Sequence, residues 1–204
     1  MPNRKRLALD RPIDLLAKLD WEILQLGHPL EYEAIASYRA FNCAITAWSI
    51  GDWVWNAAPV DLRERFRAKS PKPRATDTEC FASLLRQECR ELAICQQLAN
   101  GSKHFVLGDY NDENISSYRS ASVSFYLSNS GDGHAVPTHG VFIEDGSKIY
   151  STVGLFSRAR DYWKGFFDCY ELEAKCPHFP ALTKSRISSV NRPSAVWIAY
   201  TSDM

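Results

Sequence analysis

Over residues 12–27 apolar side chains return in steps of three and four: Ile13, Leu16, Leu19, Ile23 and Leu26. That spacing lines one face of an α-helix. Asp10 is placed to cap its start, Pro12 suits a first turn, and Gly27-His28-Pro29 stops it. A second helical run follows over residues 30–55, with Ala34, Tyr38, Phe41, Ile45 and Trp48 on one side and Ile35 and Cys43 beside them. Two long helices across so short a turn make an antiparallel pair. This commits the first part of the chain to helix-on-helix packing.

The helical character continues. Pro59 opens a short helix over residues 60–68, and a cationic loop around Ser70-Pro71-Lys72-Pro73 follows. Thr76-Asp77-Thr78-Glu79 has the capping-box pattern, so a long helix is expected to start at Thr76 or Thr78. Phe81, Leu84, Leu85, Leu92, Cys95 and Leu98 form its stripe, and Asn100-Gly101 is a natural end. Beyond it, residues 108–117 are polar and turn-rich. Ser122-Val123-Ser124-Phe125-Tyr126-Leu127 then alternates with a period of two, the pattern of a half-buried strand. Residues 129–133 read as a loop, and Asp145-Gly146 between two apolar-rich runs is a hairpin signal. Helix returns over residues 156–172, and Val196-Trp197-Ile198-Ala199-Tyr200 reads as a last strand or a packed terminal segment.

The expected fold is therefore mainly α, an antiparallel helical bundle carrying a small inserted antiparallel β-hairpin or meander, α+β overall. The bundle takes residues 12–105 and 156–172, the insertion residues 121–153, and residues 1–204 form a single domain, since no repeat or low-complexity linker divides them. A chain of 204 residues with 45% hydrophobic side chains buries a core without disulfide or metal staples.

Composition excludes several functions. Acidic and basic residues balance at 24 each, so bulk charge does not point to a nucleic-acid or membrane surface. The basic start Asn3-Arg4-Lys5-Arg6 leads into Leu7-Ala8-Leu9-Asp10, not into the apolar core of a signal peptide, and no uncharged run has the length of a membrane span. Cys43, Cys80, Cys89, Cys95, Cys169 and Cys176 follow no disulfide framework and include no C-x-x-C. All six read as reduced thiols of a cytoplasmic chain. His28, His104, His134, His139 and His178 have no zinc-site spacing, even with Cys176-Pro177-His178 beside one another. Asp109-Tyr110-Asn111-Asp112-Glu113-Asn114 lacks the central Gly and distal Glu of a calcium loop and reads as a polar turn. Gly131-Asp132-Gly133 has no Lys-Ser/Thr after it, and no G-x-S-x-G occurs. No cofactor or metal is expected. Trp53 and Trp55 lie two apart on a helix and cannot both face the same way, so one marks a partner surface or both pack at the helix end.

One segment carries chemistry. Leu98-Ala99-Asn100-Gly101-Ser102-Lys103-His104-Phe105 resembles the R-N-x-x-x-H segment, within a broader R-x(4–6)-H pattern, at a helix end in bundles of the HEPN superfamily. Asn100 and His104 fill the Asn and His positions, and Ala99 stands where the Arg would be. The resemblance covers residues 12–105 and reaches to the helix after residue 156. It implies metal-independent action on RNA, usually across a homodimer interface, in toxin–antitoxin and antiviral systems. An imidazole there helps the ribose 2′-hydroxyl attack its phosphate, and a guanidinium holds the developing charge. Ala99 cannot do the second. Two expectations follow. The first is a non-catalytic or degenerate HEPN-like module that binds RNA or a partner protein. The alternative is an endoribonuclease in which His104 works with Arg90 or Lys103, Arg90, Gln97 and His104 sharing a helical stripe at seven-residue spacing. Arg86 and Arg90 otherwise read as an exposed pair making surface salt bridges with Glu88 and Glu91.

Overall fold

The structure is a computed structural model and describes residues 9–27, 33–103, 112–127 and 133–172. Among these residues six helices and three strands follow one another: α1 (Pro12–Leu26), α2 (Glu33–Ala57), α3 (Val60–Lys69), α4 (Asp77–Glu88), α5 (Arg90–Lys103), β1 (Ile115–Leu127), β2 (Gly133–Asp145), β3 (Lys148–Ser151) and α6 (Thr152–Cys169). The chain is mainly helical with a small antiparallel sheet, as its pattern indicates.

α1 buries Ile13, Leu16, Leu19 and Ile23, the expected stripe. Its cap differs. Arg11, not Asp10, is the capping residue, and the Asp14 carboxylate reaches back to accept from the amides of Asp10 and Arg11 at 3.0 and 2.9 Å. α1 and α2 run antiparallel. Lys18 donates to Thr46 Oγ1 at 2.6 Å and to Glu22, while Arg39 donates to the Gln25 carbonyl, a reversed order along the two helices.

The expected inner face of α2 is overturned. Tyr38 is 65% exposed and Phe41 36%, while Cys43, Ala44, Ala47 and Ile50 have no exposed surface. α2 is the central element, packed on α1, α4, α5, α6 and β2. Its small residues permit that approach, and Tyr38 and Phe41 are left outside. At Gly51 an added Cβ would lie 2.8 Å from Leu85 Cδ1. Trp55 is buried against Phe81, and Trp53 packs partly buried on the core.

The long helix expected over residues 76–100 is two helices. At Cys89 the backbone is extended (φ −141°, ψ 106°). No proline or glycine stands at the break; Cys89 is buried there, and the next residue, Arg90, is bonded to the sheet. The Thr76 side chain makes no capping bond, and Glu79 accepts instead from Lys72 at 3.1 Å and Arg86 at 2.7 Å. Gly101 does not end α5, which runs on to Lys103.

The sheet has the order β1-β2-β3. β1 begins at Ile115, seven residues before the alternating run, and pairs with β2 from Ile115↔Asp145 to Leu127↔Gly133. Asp145-Gly146 turns β2 into β3, with Gly146 at φ +60°, where a side chain would be strained. α6 starts four residues before the expected position and ends at Cys169. Trp163, without exposed surface, donates from Nε1 to the Ala47 carbonyl at 2.9 Å, and Phe66, Phe81, Phe166 and Tyr170 gather beside it. One core cluster takes side chains from all six helices and, through Ile143 and Tyr150, from β2 and β3. Residues 177–204, the Asn129-to-Asp132 loop, His28, His178 and Cys176 lie outside the described residues. Among those described, no helix is long and apolar enough to cross a membrane.

Candidate binding cleft

The two-residue repeat of β1 decides which of its side chains meet the helices. Ser117 lies opposite Ile143 and Arg119 opposite Val141, while Tyr118 lies opposite Phe142. Ile143 is 1% exposed and Val141 packs on the core, so this row faces inward. Tyr118 and Phe142 stack on the outer face, with ring centroids 5.6 Å apart. Between the inner row and the helices lies a cleft of about 460 Å³. Ser37, Ala40 and Phe41 of α2 line one wall, Leu98 of α5 closes the end, and Ser117, Tyr118, Arg119, Val141 and Ile143 form the other wall. The lining is apolar at its floor, with polar groups from Ser37, Ser117 and Arg119 added.

The segment that resembles the HEPN motif starts beside this cleft. Leu98 lines it, and Asn100, half-buried, follows on the same helix. Ala99 has no exposed surface, so the position where the motif has arginine points into the core. Lys103 is the last residue of α5, and His104 lies outside the described residues.

Arg90 is at the other end. It is the first residue of α5, and 13 residues at 1.5 Å put it roughly 20 Å along the axis from Lys103. Its guanidinium is held by two carboxylates: Nε donates to Asp145 at 2.9 Å and Nη2 to Asp112 at 2.8 Å, with a further bond to Asp145. Hydrogen bonding from Arg90 holds both carboxyls below their ordinary value, and the two carboxylates raise the Arg90 pKa further. Within one chain the structure brings Arg90 to the β2–β3 turn and not to Asn100. Arg86 is not its exposed companion either. Arg86 belongs to α4 and is half-buried between Glu79 and Gln96 (2.7 and 3.1 Å). Glu88 accepts from Tyr162 at 2.7 Å, and Glu91 pairs with Arg158 at 3.6 Å.

The described thiols are free, and four of the five are buried. Burial pushes Cys89 up to about 11 and raises Cys43 and Cys95 well above the ordinary thiol range. They stay protonated at neutral pH and behave as small hydrophobes. Among the described residues no group of histidines, cysteines and acids is arranged to hold a metal ion. The cleft residues were not among the sequence-derived candidates. One signal for them exists, an aromatic stripe opposite a small-residue stripe on the same helix, at Tyr38 and Phe41. Comparison with protein-family models, curated proteins and solved structures finds no match to this chain.

Proposed function

We propose that the protein is a non-catalytic binding module that seats an apolar side chain of a partner protein in the cleft between α2, α5 and the sheet. The observation that carries this reading is the cleft itself. Its volume falls in the range of about 300–1,000 Å³ common for specific pockets, and its apolar floor is edged by few polar groups. Arg119 at the rim favours a carboxylate beside the apolar anchor. RNA fits less well. Nucleic-acid affinity rests on several cations meeting several phosphates, and this chain is neutral overall with one cation in the cleft lining.

In this reading residues 99–104 are a degenerate HEPN-like helix end. Buried Ala99 and the engagement of Arg90 with two carboxylates support a binding role over cleavage. The test is a peptide library selected on the full-length protein. Selected peptides should pair a large apolar residue with a nearby acid. Phe41→Ala should weaken them by about tenfold, the effect of removing a moderate hot spot. Arg119→Gln should weaken the acidic peptides alone. Peptides that bind Phe41→Ala as well as wild type sink the reading. So does metal-independent cleavage of mixed single-stranded RNA that disappears in His104→Ala, which would establish the nuclease.

A further inference from the structure

The sheet treats its two edges unequally. β3 has four residues, starts with Lys148 and turns directly into α6. β1 has 13 residues. Its sequence holds one charge, Arg119, and no proline, glycine, lysine or acid. Among the described residues β1 is hydrogen-bonded to β2 alone, and β2 is the strand that packs on α2 and α6. One row of β1 amides and carbonyls therefore faces away from the sheet. Short length, charges, prolines and bulges are the devices that keep an edge from pairing, and β1 has almost none of them.

We propose that this edge is an interface between two copies of the chain, β1 pairing antiparallel with β1 to make one six-stranded sheet. A two-fold axis perpendicular to the sheet makes an edge its own complement, equal in length and opposite in direction. The same axis keeps each face on its own side, so every residue meets one whose number differs from its own by an even count.

The full-overlap register is centred on Ala121, and there the sequence is complementary to itself. Ile115 meets Leu127, Ser116 meets Tyr126, Ser117 meets Phe125 and Tyr118 meets Ser124. Each bulky residue faces a small or apolar one, and Ala121 meets itself at the axis. Arg119 faces Val123, so the one charge does not oppose its copy, which would be unfavourable. The inner faces of the two sheets then join, and the two clefts lie on the same side of the joined sheet.

Sedimentation equilibrium on the full chain tests this. Wild type should be a dimer at micromolar concentration. Ala121→Lys places two ammonium groups face to face at the axis and should raise the dissociation constant at least about tenfold, with circular dichroism unchanged. Proline placed in turn at Ser120 and Ala121 gives a second reading. Successive amides point alternately to β2 and to the free edge, so one of the two variants keeps the fold and loses an outward donor. That variant should be a folded monomer. A wild type that stays monomeric at high concentration overturns the proposal, as does a dimer unaffected by both Ala121→Lys and the folded proline variant.

Discussion

Arg90 begins a helix, where the partial positive charge of the helix end disfavours a cation. Asp112, just before β1, and Asp145, at the end of β2, offset that cost, and the three side chains tie α5 to one end of the sheet, where Ile115 pairs with Asp145. Arg90→Ala removes the tie and leaves two neighbouring carboxylates that raise each other's proton affinity. The Arg90 side chain is 43% exposed, so solvent screens the ion pairs, and the expected loss is about 1–2 kcal/mol. The sign with pH follows from the lowered carboxyls. Their stabilisation is complete above the ordinary value of 3.8 and is lost as pH falls through the lower folded values. Melting temperatures of wild type and Arg90→Ala should differ most at neutral pH and converge toward about pH 2. A gap that does not change with pH would assign Arg90 to packing alone.

At the scale of elements, α2 shows how close approach overrules hydrophobicity. Gly51→Val places methyl groups where Leu85 and Trp163 already sit, and overpacking of that kind costs about 1–3 kcal/mol. Gly165→Ala in α6 meets nothing within 4 Å and should stabilise by up to about 1 kcal/mol through helix propensity. Denaturant unfolding of the two variants should therefore move in opposite directions. The same contrast explains what was legible in the sequence. α1, α3, α6 and the Asp145-Gly146 turn were, because stripe, proline and turn residues act locally. The inner face of α2 was not: Tyr38 and Phe41 outrank alanine on any hydropathy scale, yet contact with four helices and a strand selects Ala44, Ala47 and Gly51. The break at Cys89 had no local signal, since neither proline nor glycine marks it and the bonds that Arg90 makes beside it reach residues 22 and 55 positions away. The cleft was illegible for the same reason, since α2, α5 and the strands meet there from distant parts of the chain.

Across the whole molecule the core is unequally shared. All six helices contribute to it, and Trp163 fastens α6 to the middle of α2. Among the described residues β1 adds Ile115 at the margin. A segment with few buried apolar contacts opens before the rest. In a monomer, amides of α2 over residues 43–54 should exchange most slowly, and those of β1 over residues 120–127 fastest among the strands and helices. Pairing of β1 edges changes that order in one specific way. Protection over residues 120–127 should rise with protein concentration, because mass action stabilises the state in which the second copy covers the edge. Concentration-dependent exchange in β1 would thus connect the bare edge to the dimer. Fast exchange there at every concentration would leave the edge without a partner, and slow exchange at every concentration would mean that the chain covers its own edge.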